Sequence, residues 1–257
     1  MRTIAIMSPK GGIAKTTSAD TIAYILGEEQ GKKVLLIDAD PQGDTSKVYG
    51  KYDPEGEGLS GLLENHTYVG GEYNTWHFIE QTQYENIDII TANGYLMQTD
   101  MSLCLEREKT QAERLKEVLK EVNNLYDYCI CDCGRLLDMV VINALIAAEM
   151  VIAPVKLGGF ENEAIYNLQE QLDDLRELNE RLHIKGIITM RQKNKTTLEF
   201  EQWMKEQSGF EMFETPVRRS IIVEKASMAM KPLPAFSKNG IATKDYRAVV
   251  EELLQEE

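Results

Sequence analysis

Short apolar runs alternate with helix-like patterns along most of this 257-residue chain. Apolar runs without polar interruption are typical of strands buried on both faces of a parallel sheet. Such runs, one of them alternating between apolar and polar residues, predict strands at residues 2–7, 34–38, 86–92, 128–132, 150–155 and 184–190. Apolar residues spaced three or four apart predict helices near residues 15–29, 115–122, 142–145, 165–175 and 246–254.

The alternation of strands and helices predicts an α/β fold, with a mostly parallel, twisted sheet and helices on both of its faces. Residues 50–83 contain many glycines and no clear periodicity, so we predict loops and short helices there. With 43% hydrophobic residues, a chain of this length can bury one substantial core. We therefore expect residues 1–257 to form a single domain.

Hydropathy and cysteine usage predict a cytoplasmic protein that does not bind membranes. No apolar run approaches the roughly 18 residues that span a bilayer, and no export signal precedes the first strand. The four cysteines are too few and too clustered for a disulfide framework. Such usage suits a reducing compartment.

Charge is distributed unevenly along the chain. The net charge of −14 makes the molecule as a whole repel nucleic acid. Residues 185–195 nevertheless contain four bases and no acid, and residues 215–247 contain seven bases against two acids. Any binding to DNA must therefore come from these local stretches, while the remaining surface is strongly acidic.

The segment after the first strand has the composition of a phosphate-binding loop, because residues 8–17 read SPKGGIAKTT. Glycines let backbone N–H groups surround an anion, and the N-terminus of the following helix adds partial positive charge. Lys15 supplies a counter-charge for the phosphates and Thr16 a ligand for Mg²⁺. We therefore predict an ATP site whose candidate residues are Gly11, Gly12, Ile13, Ala14, Lys15, Thr16 and Thr17.

Several motifs in the same order resemble those of the ParA/MinD family of deviant-Walker ATPases. Residues 10–17, KGGIAKTT, are similar to the family's K-G-G-x-G-K-T-T, and residues 34–43, VLLIDADPQG, resemble its second motif. Residues 126–133, YDYCICDC, are similar to its Walker B strand, and Gly186–Met190 and Glu224–Ala226 resemble later signatures. The resemblance implies a P-loop NTPase fold and Mg²⁺-dependent hydrolysis of ATP to ADP and phosphate.

The resemblance also implies roles for the residues around the phosphates. Lys15 would neutralise the β- and γ-phosphates, and Thr16 would coordinate Mg²⁺. Asp132 would support the ion from outside its direct ligands. Lys10 is the family's signature lysine, which would reach across a dimer interface to the partner's nucleotide. It would stabilise negative charge during ATP cleavage, as an arginine finger does in trans.

Two acids follow the second strand, where Pro41 prevents the strand from continuing. The resemblance assigns Asp40 to orienting the attacking water and Asp38 to supporting the metal region. The implied catalytic residues are thus Lys10, Lys15 and Asp40. Asp38 and Asp132 join the nucleotide site, and the implied Mg²⁺ residues are Thr16, Asp40 and Asp132.

Within the family, the chain is more similar to the ParA branch, which segregates plasmids and chromosomes, than to the MinD branch. MinD-like proteins end in a basic amphipathic helix that lies on the membrane, whereas residues 251–257 here read EELLQEE. Larger ParA proteins carry an N-terminal helix-turn-helix domain, but here the first strand begins at residue 2. We expect no such domain in this chain.

The chain departs from the family pattern at two positions that bear on activity. Ala14 replaces a family glycine, and a positive φ there would cost roughly 1 kcal/mol. Gly134 and Arg135 replace two prolines after the Asp-Cys pair, which alters the adjacent switch loop. Cys129, Cys131 and Cys133 share one strand face, where we expect core packing rather than a metal cluster.

Family members bind DNA without sequence preference through basic residues in the corresponding C-terminal region. The matching candidates here are Arg191, Lys193, Lys195, Arg218 and Arg219. The resemblance implies a nucleotide sandwich dimer that binds non-specific DNA, associates with the nucleoid when ATP-bound, and is stimulated by a ParB-like centromere-binding protein. Two alternatives remain open: a MinD-like or other cargo-positioning ATPase acting through protein contacts, and an iron–sulfur carrier or reductase on the same fold.

Overall fold

The computed structural model describes residues 1–65, 74–106, 111–157, 170, 179–206 and 211–256. Within these ranges, seven strands form one sheet. In chain order they are β1 (Arg2–Ile6), β2 (Val34–Ala39), β3 (Glu80–Gln81), β4 (Ile87–Ile90), β5 (Tyr128–Cys133), β6 (Met150–Lys156) and β7 (His183–Thr189). The order across the sheet is β3-β4-β2-β5-β1-β6-β7. All neighbours are parallel except β3 and β4, which are antiparallel.

The helices of the described ranges flank this sheet. In chain order they are α1 (Lys15–Tyr24), α2 (Asp44–Val48), α3 (Gly58–Asn65), α4 (Leu96–Leu105), α5 (Arg114–Val122), α6 (Met139–Ala147), α7 (Lys195–Glu206), α8 (Ile221–Met228), α9 (Leu233–Phe236) and α10 (Ile241–Gln255). A π-helical turn at Ile25–Glu29 continues α1, and a 3₁₀ turn lies at Thr75–Phe78. None of these helices combines the length and apolar character needed to cross a bilayer.

Strand side chains alternate between two apolar clusters, one on each face of the sheet. In β2, Leu35 and Ile37 join a cluster with α3, α4, α5 and α6, whereas Val34 and Leu36 join a second cluster with α1 and α10. Because successive strand side chains point to opposite faces, a continuous apolar run fills both clusters. The α/β fold predicted from the sequence, with helices on both faces, is confirmed.

The predicted strands are all present, with bounds that differ by one or two residues at some ends. The predicted first helix is also present, although its last turn is π-helical. Gly27 lies in that turn, where a Cβ atom would be 2.6 Å from Cγ1 of Ile87, so glycine permits close packing against β4. The amphipathic helix predicted near residues 165–175 lies outside the described residues, apart from Glu170.

The carboxyl ends of the parallel strands meet at one edge of the sheet. There β1 leads into the phosphate-binding segment, β2 ends beside Asp40, and β5 carries Asp132 near its end. In the sheet register, Asp132 pairs with Ile6 of β1 and with Asp38 of β2. Open α/β sheets bind ligands in the crevice at this edge.

Candidate functional site

The loop between β1 and α1 contributes the first group of candidate active-site residues. Gly12 and Ala14 both adopt left-handed backbone conformations, with φ of 69° and 70°. The carbonyl of Ile13 accepts a hydrogen bond from Oγ1 of Thr189 at 2.9 Å, and that of Ala14 accepts one from Oγ of Ser18 at 2.7 Å. These bonds hold the loop against β7 and α1, so that its shape exists before any ligand binds.

Lys15 is the first residue of α1 and is 9% exposed. Its Nζ donates to the carbonyl oxygen of Lys10 at 3.2 Å, across the loop. Burial lowers the pKa of Lys15, while the negative charges of Asp132 and Asp40 act in the opposite direction. The ammonium group is therefore desolvated and lies at the N-terminus of α1, which is the position that a counter-charge for phosphate requires.

Ala14 has the positive φ at which a Cβ atom is expected to cause strain. We expect Ala14→Gly to raise the free energy of unfolding by about 1 kcal/mol, because glycine adopts this conformation without Cβ repulsion. Urea unfolding measures the change. Gly12→Ala is the matched control: its φ is 69° and no atom lies near its Cβ position, so it should lower stability by a similar amount. A neutral Ala14→Gly substitution would contradict the strain.

Asp38 is fully buried and organises the turn after β2. One of its carboxylate oxygens accepts from the N–H and hydroxyl of Ser46 at 2.7 and 2.6 Å, and the other accepts from the N–H of Asp40 at 3.2 Å. Burial raises the pKa of Asp38 to about 6, although the bonds from Ser46 lower it. These bonds occupy both oxygens, so Asp38 supports the site from beneath and holds Asp40 in place.

Asp40 is half-buried at the rim of the site. Its Oδ1 accepts a hydrogen bond from the N–H of Gln42 at 3.0 Å, which closes a turn over residues 40–42. The side chain thus faces the phosphate loop from a rigid strand end. This is a suitable position for orienting a water molecule, since phosphoryl transfer depends on positioning.

Asp132 lies beneath the loop and is linked to α1 through Thr45. Oγ1 of Thr45 is 2.8 Å from a carboxylate oxygen of Asp132 and 2.9 Å from one of Asp20. Burial raises the pKa of Asp132 to about 8, with a further contribution from the charge of Asp38. Burial also raises the pKa of Asp20, and the charge of Asp132 raises it further. The three buried carboxyl groups repel one another, so a cation at this place would stabilise them.

The residues present fit a magnesium ion. Oδ1 of Asp132 is buried and makes no hydrogen bond of normal geometry, although the nearby hydroxyl of Thr16 favours its charged form. Oxygen ligands of this kind suit Mg²⁺, which commonly takes one or two carboxylates together with phosphates and water. Among the described residues, no group of three or more His, Cys, Asp or Glu side chains forms a metal site by itself. The protein thus offers part of a coordination shell.

The loop, Asp40 and the segment after β5 enclose one cleft of about 1010 Å³. Gly11, Lys15, Thr16 and Asp40 all line it. Arg135 also lines this cleft, beside Gly11 of the phosphate loop. The structure therefore brings the predicted loop and strand-end residues together in one space large enough for a nucleotide.

The three cysteines of β5 are fully buried in the cluster that β5 shares with α3 to α6. The Sγ atoms of Cys129 and Cys131 are 4.0 Å apart, and Sγ of Cys133 is 3.8 Å from the carbonyl oxygen of Cys131. All three are free thiols surrounded by apolar side chains. The expectation that they pack in the core is confirmed.

The two basic stretches of the sequence meet beside β7. The N–H of Arg191 donates to the carbonyl of Val217 at 2.9 Å, and the N–H of Arg219 donates to the carbonyl of Arg191 at 3.0 Å. Lys193, Lys195 and Arg219 are exposed on the resulting surface. Nε of Arg191 is 2.8 Å from Glu201, however, which neutralises that guanidinium.

Charge counting along the sequence overstated the basic surface, because distant acids pair with several of the bases. Nε of Arg218 is 2.9 Å from Asp245. Lys185 is 9% exposed and pairs with both Glu211 and Glu256. Lys195 also has a carboxylate neighbour, since its Nζ is 3.7 Å from Glu199 in an exposed pair. Of the five DNA-contact candidates, three therefore lie beside carboxylates, although Lys195 still presents its charge to solvent, as Lys193 and Arg219 do.

Three side chains of the site were not singled out from the sequence. Asp20 and Thr45 tie α1 to α2 and β5, and Ser46 holds Asp38. Ser46 and Thr45 do follow the second motif directly, which is the one local signal for them. Asp20 carried no such signal, because its partner lies 25 residues away.

Comparison with known proteins identifies related chains over the whole length. An uncharacterised protein of Mycobacterium tuberculosis is 30% identical, over 98% of this chain and 78% of that protein. The sporulation initiation inhibitor protein Soj of Bacillus subtilis is 29% identical, over 97% of each chain. The chromosome partitioning protein ParA of Caulobacter vibrioides is 27% identical, over 100% of this chain and 95% of the relative.

Solved structures share the fold at lower identity. A plasmid partition protein from Borrelia burgdorferi, bound to AMPPNP, superposes with a TM-score of 0.81 at 24% identity, over 100% of this chain and 99% of that one. Cobyrinic acid a,c-diamide synthase from Mycobacterium smegmatis gives a TM-score of 0.82 at 22% identity, over 99% and 95% of the two chains. A family model described as AAA domain matches residues 1–184. The chain therefore belongs to this AAA-domain family and, within it, to the ParA/MinD group of P-loop proteins.

Proposed function

We propose that this protein is a ParA-type ATPase whose residues 1–257 form a single domain that binds ATP with Mg²⁺ and hydrolyses ATP to ADP and phosphate. The observation that carries the proposal is that Lys15 and Asp40 line one cleft beside a preformed phosphate loop, with the buried Asp132 close enough for its charge to act on Lys15. The structures with bound AMPPNP, and with an ATP analogue and magnesium, support the choice of nucleotide. Magnesium would offset the charge of Asp132 and the phosphates, with Thr16 and Asp40 beside it.

A second cavity of about 250 Å³ adjoins the phosphate loop and suits the nucleobase. Gly12 and Ala14 of the phosphate loop line it, while Met190 and Val217 contribute apolar surface. A flat aromatic ring packs well against such side chains, and the ribose would extend towards Thr17. Gly12 and Ala14 of the phosphate loop line both this cavity and the larger cleft.

The rim of the cleft supports an ATP-dependent sandwich dimer. Met97, Met101, Leu136 and Met228 line the cleft with exposed fractions of 68%, 65%, 70% and 84%. Large apolar side chains grouped around a charged cleft are typical of a surface that another protein covers. A second copy would bury them and bring Lys10 of each subunit towards the partner's nucleotide.

The exposed bases Lys193, Lys195 and Arg219 would bind non-specific DNA in the dimer. Pairing brings two such surfaces together, which roughly doubles the phosphate contacts and the salt dependence of binding. ATP thereby controls DNA affinity, and the ATP-bound protein associates with the nucleoid in the cytoplasm. A ParB-like centromere-binding partner would stimulate hydrolysis and release, so that repeated cycles segregate a plasmid or chromosome region.

DNA retention is the experiment that tests this function. Retention is measured with ATP, with ADP and without nucleotide, each at two salt concentrations, alongside ATP turnover with and without the centromere-binding partner. Retention that depends on ATP and falls steeply with salt supports the proposal. Turnover without any DNA retention would favour the second candidate, a cargo-positioning ATPase, to which the internal ion pairs of Arg191 and Arg218 already lend support.

Replacing Lys195 and Arg219 with glutamate is expected to weaken ATP-dependent DNA binding by at least about tenfold and to reduce its salt dependence, because the change removes phosphate contacts from each subunit. A filter-binding titration measures both. Lys33→Glu with Lys120→Glu makes the same charge change at exposed positions on other elements and should leave binding nearly unchanged. Equal retention by the two double variants would contradict the assigned surface.

A further inference from the structure

Arg135 lines the cleft proposed to bind the nucleotide and lies beside the phosphate loop. The residue is exposed and lines the cleft. A Cβ atom built on Gly11 would be 3.6 Å from both Cδ and Nη1 of Arg135. Its positive charge also contributes to lowering the pKa of Lys15, after the larger effect of burial. The guanidinium group therefore lies within electrostatic reach of the lysine that would hold the phosphates.

The residue before it lies against the other side of the cleft. A Cβ atom on Gly134 would be 3.8 Å from the carbonyl oxygen of Ala39 and 3.9 Å from Cγ of Asp40. The segment thus starts beside the carboxylate proposed to orient water and ends beside the phosphate loop. If the proposed function holds, the phosphoryl group that is cleaved would lie between these two places, which would put Arg135 next to the terminal phosphate.

The guanidinium group of Arg135 has no partner among the residues that the structure describes. With the described residues, Arg135 makes no hydrogen bond and no ion pair. Two carboxylates that line the same cleft are already used at the start of α6: Asp138 accepts from the N–H of Val141 at 2.9 Å, and Asp100 accepts from that of Met139 at 2.7 Å. An arginine directed into a cleft without a partner is available to an anionic ligand.

We propose that Arg135 binds the terminal phosphate of the nucleotide in its own subunit and so makes the protein distinguish ATP from ADP. A guanidinium group matches phosphate oxygens with two parallel hydrogen bonds, which a lysine does not reproduce. This role differs from that assigned to Lys10, because Arg135 acts on the nucleotide of the same subunit. The inference rests on the proposed ATPase function and names the residue that senses the phosphate to be cleaved.

The test compares nucleotide affinities of the 257-residue chain by calorimetry, using AMPPNP and ADP with Mg²⁺. Arg135→Ala is expected to weaken AMPPNP binding by about 10- to 100-fold, the effect of losing hydrogen bonds to a charged group, and to leave ADP binding unchanged. Arg135→Lys keeps the charge but loses the paired geometry, so it should give an intermediate loss. Arg181→Ala removes another exposed arginine outside the cleft and should change neither affinity.

The outcomes separate this inference from the function on which it rests. An unchanged ratio of AMPPNP to ADP affinity in Arg135→Ala, in a protein whose wild type binds both nucleotides, would overturn the inference alone. A wild type that binds neither nucleotide would overturn the ATPase proposal itself. Because Arg135 is exposed, its variants should fold, and an unchanged melting temperature verifies this.

Discussion

Replacing Lys10 with alanine is expected to abolish ATP-driven pairing and to reduce ATP turnover by about 10³-fold, the effect of losing a cationic group supplied in trans. Binding of ATP to the monomer should survive. Lys15 contacts Lys10 through the backbone carbonyl oxygen, at 3.2 Å, and alanine retains that oxygen. The phosphate loop and its principal counter-charge therefore remain in place while the long side chain is lost.

Sedimentation velocity with ATP measures the pairing, and phosphate release measures the turnover. Lys15→Ala serves as the comparison, because it should lose ATP binding as well as pairing. The pattern that identifies Lys10 is thus normal ATP affinity in a protein that stays monomeric. Undiminished pairing and turnover in the Lys10→Ala variant would remove the basis for a sandwich dimer.

The fold was predictable because most of its strands are central. Strands such as β2 and β5 are buried on both faces, so their sequences are nearly continuous apolar runs that stand out without any tertiary information. The two-residue strand β3 was missed, since Glu80 and Gln81 are exposed and pair only with the edge of β4. Such a strand pairing depends on tertiary contacts, which the local sequence pattern does not show.

In the site, too, local features could be predicted from the sequence, whereas contacts between distant residues could not. The phosphate loop could be predicted because its glycines, lysines and threonines are contiguous and act through local backbone geometry. The neutralisation of Arg218 could not, because its partner Asp245 lies 27 residues further along. In the sequence, Arg135 is distinguished only as a departure from a family pattern. Its position beside Gly11 depends on the tertiary path of the segment after β5.

Replacing Asp40 with asparagine is expected to reduce ATP hydrolysis by about 10²- to 10⁴-fold, the range associated with a positioned acid–base group. Asparagine keeps the oxygen that accepts the N–H of Gln42 at 3.0 Å, so the turn after β2 is preserved. It loses the negative charge that orients and polarises a water molecule. Binding of ATP and pairing should persist, because Lys15 and Lys10 are untouched.

This combination predicts a protein that remains on DNA after ATP is added, since release requires hydrolysis. Phosphate release and the lifetime of DNA retention measure the two effects separately. Asp53→Asn is a matched control, because Oδ1 of Asp53 accepts the N–H of Glu55 at 3.0 Å in the same kind of turn, on an exposed segment. If Asp40→Asn hydrolyses ATP as fast as the Asp53→Asn control, the water must be oriented by another group. If hydrolysis stops but retention is no longer than in the wild type, hydrolysis does not drive release from DNA.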